Sequence, residues 1–170
     1  MAELHIIGQI VGASGFPHNS LFCKWGLQTG EALAAVCVGR GMEDVEKHEY
    51  FVPHQIKLIL SLSSASGWPK LYMQVWHQDS FGRNDLCGYG FCHIPSSPGT
   101  HDIQCVTWRP LGTWQEQLSQ MFVGGGPQLK HSDLIYTGAD RYRLQTVAMG
   151  KVHLQLSIIL RNFDQYGVEY

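Results

Sequence analysis

The stretch from residue 151 to 160 most constrains what this chain can fold into. Val152, Leu154, Leu156, Ile158 and Leu160 alternate strictly with Lys151, His153, Gln155 and Ser157. In a strand, side chains two apart share a face, so this pattern buries one face and wets the other; a helix would scatter the same residues around its axis. The period recurs through Leu4, Ile6, Gly8 and Ile10, then Leu21, Cys23, Trp25 and Leu27, then Ile56, Leu58, Leu60 and Leu62, then Leu71, Met73 and Val75. Further runs occupy 86–94, 103–108 and 142–148. Eight short strands separated by turn residues predict an all-β fold, an antiparallel eight-stranded β-sandwich, built as a single domain over residues 1–170. Composition agrees: charged residues are 15% against about 25% in ordinary globular chains, and 19 glycines supply turns.

Two segments depart from the pattern. Thr113 and Glu116 are spaced as a capping box, Trp114, Leu118, Met121 and Phe122 recur at helical spacing, and a Gly-Gly-Gly-Pro run at 124–127 stops it. This predicts one short helix over about 113–122, laid across one end of the sandwich. Residues 30–53 combine an apolar run at 32–38 with a charged stretch at 43–49, and are expected to be a loop insertion between strands.

Charge and motifs narrow the function. A net charge of −2 and a pI near 6.5 build no basic field for a phosphate backbone, so nucleic acid is excluded as a main partner. The start Met1-Ala2-Glu3 lacks a signal-peptide pattern, no apolar run is long enough to cross a bilayer, and five cysteines show no repeating spacing. A soluble intracellular protein with reduced, buried thiols is expected. Cys87 and Cys92, five apart in one strand, are expected on opposite faces with His93 opposed to Cys92, which argues against a metal site there. No nucleophile elbow, Walker loop or His-Glu-x-x-His pair occurs, so no catalytic residue, no cofactor and no enzymatic role is assigned.

Residues 74–95 resemble the calcium-loop region of a C2 domain, with Asp79 and Asp85 spaced around Phe81, and residues 12–27 resemble its other calcium loop. The resemblance places Ser14 and Ser20 at the first loop's carboxylate positions, and His77, Asp79 and Asp85 at the second's. Calcium needs six to eight oxygens, mostly from carboxylates. Two acidic positions of five leave Asp79 and Asp85 as residual, non-functional calcium-type positions, so no metal is assigned.

The widest resemblance is to the B9 domain family. ELHIIGQIVGASGF, FCKWG, GWPKLYMQVWHQDSFGR, GYGFCHIPSSPGTH, TWRPLG, FVGGGPQL, GADRYRL and LRNFDQYGVEY carry it from residue 3 to 170, leaving 30–53 uncovered. It implies a C2-like sandwich that is a non-enzymatic subunit of the tectonic-like (Meckel syndrome) complex. Such a subunit works at the ciliary transition zone, contributing to the diffusion barrier for membrane proteins and to cilium assembly. The implied location is the cytoplasm and cytoskeleton, at the basal body and axoneme base. The implied partners are other B9-domain proteins (B9 domain-containing protein 1 and the Meckel syndrome type 1 protein), membrane proteins such as tectonics, and tubulin as a further candidate. A competing class is a calcium-regulated phospholipid-binding C2 module. Single lysines (Lys57, Lys70, Lys151) in place of a basic cluster predict weak or indirect membrane contact.

Some strands are apolar on both faces. Tyr72 and Trp76 oppose Leu71, Met73 and Val75, while Tyr89 and Phe91 are read as opposing Leu86 and Cys92. The second face is either a docking patch anchored by Tyr72, Trp76, Tyr89 and Phe91, or a face covered by the helix or by the 30–53 segment.

Overall fold

The computed structural model describes residues 3–29, 32–42, 54–61, 68–112, 128–129, 132–135 and 144–163. Its strands are β1 (Glu3–Ser14), β2 (Leu21–Thr29), β3 (Ala32–Met42), β4 (His54–Ser61), β5 (Lys70–Gln78), β6 (Asn84–His93), β7 (Gly99–Pro110) and β8 (Thr146–Arg161), with a 3-10 turn at Ser132–Ile135. They form one antiparallel sheet in the order β3-β2-β5-β6-β7-β8-β1-β4. Between β6 and β7 the ladder consists of two residue pairs, Tyr89 with Trp108 and Gly90 with Thr107. This short seam divides the sheet into two four-stranded halves, and a shared apolar core lies between their inner faces.

Eight strands lie among the described residues, but they are not the eight read from periodicity. β8 runs unbroken from Thr146 to Arg161, merging the described part of the 142–148 run with the 152–160 run; a register shift against β7 near Gly150 lies between them. The extra strand is β3, within the segment expected to be a loop. Its apolar stretch at 32–38 does not alternate, and a short continuous apolar run carries no period from which to read a strand. The helix expected over 113–122, and residues 43–53, lie outside the described residues.

Register explains the core. β1 and β8 set Leu4 against Leu160, Ile6 against Ile158 and Ile10 against Leu154, and all but the half-buried Leu160 are at most 2% exposed. Gly8 faces Leu156, where an added Cβ would collide with the Gln155 carbonyl oxygen, so this position tolerates no side chain. After Ile10 the pairing shifts by one residue at Val11. The bulge turns inward positions from even to odd numbers, and Ala13 is fully buried opposite Val152.

A second bulge corrects the reading of β6. Val75 pairs with Gly88 and Trp76 with Leu86, leaving Cys87 as the extra residue. Leu86 therefore shares its outer face with Tyr89 instead of opposing it, and Cys87 packs in the same inner core as Cys92. Simple alternation put each of these pairs on opposite faces, because it has no means of counting the inserted residue. His93 is exposed, as expected.

The outer face of β5, β6 and β7 carries a second apolar cluster of Tyr72, Leu86, Tyr89, Trp108 and Ile135, flanked by Trp76, Phe91 and Leu129. Ile135, fully buried at the end of the 3-10 turn, and Leu129 are contributed by the β7–β8 connection. Tyr89 Oη accepts the Leu129 N–H at 2.9 Å, and the Tyr89 and Trp108 rings meet at 5.7 Å with a 47° tilt. Part of the second face is thus covered by this chain, through Leu129 and Ile135 of the β7–β8 connection.

Candidate functional site

Two places bring together the residues singled out from sequence. The first is the aromatic outer face of the β2–β5–β6 half. Tyr72 is 6% and Tyr89 3% exposed, and both are packed in the outer cluster, so neither stands out as a free anchor. Trp76 and Phe91 are half-buried.

Trp76 stands opposite Phe22 of β2, and Gln74 opposite Lys24. These four residues form a rung that alternation alone left unassembled. The Phe22 and Trp76 rings stack at 6.4 Å with 15° between planes. Lys24 Nζ lies 4.7 Å from the Trp76 ring centroid, in cation–π range, and Trp76 Nε1 donates to Gln74 Oε1 at 3.3 Å. Phe91 stands opposite Tyr72 and meets the His93 ring edge-on at 5.8 Å. Phe22 and Lys24 escaped notice because only pairing to β5, a long-range property, puts them beside Trp76.

The second place is the loop end, where the β1–β2 and β5–β6 connections lie side by side. Asp79 ties down its own loop: Oδ1 accepts the N–H groups of Phe81 and Arg83 at 2.9 and 2.8 Å, and Oδ2 accepts Arg83 Nε at 2.8 Å. Desolvation works to raise its pKa, but the Arg83 and Phe81 hydrogen bonds and the Arg83 charge outweigh it and hold the carboxyl below its ordinary value. Ser14 does not face the loop, because its hydroxyl bonds His153 Nε2 at 2.8 Å. Ser20 offers its carbonyl to His77 Nδ1 at 2.9 Å. The His77 ring stacks on His18 at 4.1 Å. Burial first, then the His77 ring, lower the His18 pKa against the pull of Asp85. Among the described residues no three His, Cys, Asp or Glu side chains are grouped to hold a metal ion. Phe81, at the tip of the β5–β6 loop, is 83% exposed, with the Arg83 guanidinium 5.7 Å from its ring.

Nucleophiles are muted in the core. Burial pushes the Cys23 thiol up to about 12 and the Cys87 thiol up to about 11, so neither carries appreciable thiolate near neutral pH. The Thr107 hydroxyl, fully buried, donates to the Gly150 carbonyl at 2.7 Å.

Residues 4–159 match the B9-C2 family, described as "Ciliary basal body-associated, B9 protein". The chain belongs to the B9 family. It is 63% identical over 174 residues to B9 domain-containing protein 2 of Xenopus laevis and 59% identical to that of Homo sapiens, covering 99% of both chains in each case. It is also 23% identical to B9 domain-containing protein 1 of Mus musculus, over 98% of this chain and 85% of the relative. Among solved structures, the C2A domain of plant Extended Synaptotagmin 1 is similar with a TM-score of 0.43 and 11% identity, over 92% of this chain and 93% of that one. Within this B9 chain the outer aromatic rung and the loop end are separate places on one half-sheet. The rung presents aromatic surface, whereas the loop-end carboxylate of Asp79 is consumed by its own loop.

Proposed function

We propose that this chain is a non-enzymatic structural subunit of the tectonic-like (Meckel syndrome) complex at the ciliary transition zone, acting through one B9 domain over residues 1–170. There it contributes to the diffusion barrier for membrane proteins and to cilium assembly. Membership of a ciliary basal body-associated family supports a ciliary site of action. The observation that carries the docking role is the half-exposed rung of Phe22, Trp76 and Lys24, with Phe91 farther along the same outer face, opposite Tyr72. Aromatic side chains partly seated in their own cluster are preorganised anchors, and interfaces concentrate their energy in a few such residues. The proposed partners are B9 domain-containing protein 1 and the Meckel syndrome type 1 protein, with tectonics as membrane-bound neighbours and tubulin as a further candidate. Membrane contact is weak or indirect.

Co-purification with B9 domain-containing protein 1 tests this reading. Trp76→Ala is expected to keep a cooperative melt close to that of the parent and to lose the partner, because its ring is only half-buried. Phe91→Ala should weaken binding in the same way. Tyr72→Ala, a buried position, should instead lower the melting temperature. If Trp76→Ala and Phe91→Ala both fold and both still assemble, the aromatic face is not the docking surface. A calcium-regulated lipid module is disfavoured by the pairing of Asp79 with Arg83. Calorimetric titration should find no sub-millimolar calcium site, and a rise in melting temperature at micromolar calcium would revive that alternative.

A further inference from the structure

The seam between the half-sheets carries a feature that assembly does not use. β6 and β7 pair at Tyr89 with Trp108 and at Gly90 with Thr107. Continuing that register by two residues on each strand sets Cys92 against Cys105. Residues 90 and 92 point the same way along a strand, and Gly90 leaves room for the neighbouring sulfur: a Cβ there would sit 2.9 Å from Cys105 Sγ. Both cysteines pack against the inner core, Cys105 at 1% exposure and Cys92 half-buried. The Cys105 thiol donates to the Val106 carbonyl oxygen at 4.0 Å, and each of the two thiols perturbs the titration of the other.

We infer that Cys92 and Cys105 form a thiol pair that low-molecular-weight disulfides of the glutathione type convert to an intramolecular disulfide across the β6–β7 seam. The two thiols are fitted to different roles. The neighbouring Cys105 thiol, opposed by burial, holds the Cys92 thiol below its ordinary value, while Cys92 first and then burial push Cys105 well above it. Cys92, the more accessible, attacks one sulfur of oxidised glutathione, forming a mixed disulfide and releasing glutathione as thiolate. The Cys105 sulfur then attacks Cys92 Sγ and expels the second glutathione, the Cys105 proton passing to the departing glutathione sulfur. The protein loses two hydrogens and the oxidant gains two. Cys23 and Cys87 are poor competitors for the first attack, their thiols held protonated by burial; Cys105, protonated too, acts only in the second step, on a disulfide that its strand adjoins. The product would staple the two halves where their ladder is shortest, so the oxidised form should be the more rigid one.

The test uses the full chain incubated with oxidised glutathione under native conditions, then cleaved without reduction at Asp85 and Asp102 and after Tyr89 and Phe91. This separates Cys87, Cys92 and Cys105. The expected result is a linked Cys92–Cys105 peptide two hydrogens lighter than its reduced parts, and a melting temperature raised by on the order of 5 °C that reverts with dithiothreitol. Cys105→Ala should stop at the mixed disulfide, retaining one glutathione on Cys92, and Cys92→Ala should take up none on Cys105. Circular dichroism confirms that each variant is folded. A folded parent that keeps glutathione on Cys92, that links any other cysteine pair, or that reacts only after urea is added overturns the inference.

Discussion

The outer faces of the two half-sheets are built differently. On β1 and β8 the outward positions are His5, Gln9, His153, Gln155 and Ser157, with Ile7 and Ile159 left 42% and 51% exposed. Polar side chains join across this face, as in Gln9 with Gln155 at 3.3 Å and Gln155 with Asp102 at 3.1 Å. On β5, β6 and the end of β7 the outward positions are Tyr72, Trp76, Leu86, Tyr89 and Trp108, roofed by Ile135 and Leu129. One half needs a single core and meets water directly. The other supports a core on each side, and at its margin, around Trp76, that second core opens toward solvent. A sheet face with aromatics on it is therefore not automatically a docking face; the roof decides how much of it remains available.

Five substitutions, the last read in acid melts, can break or sharpen this contrast. Leu156→Ala, at the centre of the shared core, should cost on the order of 4 kcal/mol in denaturant unfolding. A loss under 1 kcal/mol would mean the inner core is not where stability lies. Ile135→Ala removes the roof and should cost about 3 kcal/mol, with faster amide exchange along β6. If exchange there is unchanged, the roof contributes nothing to the outer cluster. Tyr89→Phe deletes the acceptor for the Leu129 N–H and should cost about 1 kcal/mol, measurable as a lower urea midpoint. Ile159→Thr, on the wet face, should stay within about 0.5 kcal/mol of the parent; a larger loss would show that this face too is covered.

The smallest effect belongs to the loop end. The folded pKa of Asp79 lies below its unfolded value, so between the two the unfolded chain binds more protons and stability rises with pH. The contribution is present above about pH 3.9 and lost as pH falls through the folded value. Asp79→Asn should flatten that slope in acid melts. An unaltered slope would show that the Arg83 contact does not persist in solution.

Much of the inner core could be read from residues alone. Leu4, Ile6, Ile10, Leu71, Met73, Val75, Leu154, Leu156 and Ile158 alternate as expected and are buried together. β3 could not be read, since its apolar stretch lacks a period, and neither could the faces of Leu86 and Cys87, since one inserted residue reverses parity without a sequence marker. The aromatic candidates were legible as a set, because Tyr72, Trp76, Tyr89 and Phe91 do occupy one outer face. Their division into buried and half-buried members was not, because Leu129 and Ile135 reach that face from far along the chain.

Local periodicity is encoded by neighbours two residues apart, so the sequence by itself determined the all-β class, the antiparallel inward faces and the family resemblance that residues 4–159 bear out. Long-range pairing decided the rest. Only the register between β2 and β5 placed Phe22 and Lys24 around Trp76, and only the register of the two-pair seam between β6 and β7, continued by two residues, sets Cys92 against Cys105. Those juxtapositions join residues more than ten positions apart, where the energy of contact depends on how strands align and not on what stands next in the chain.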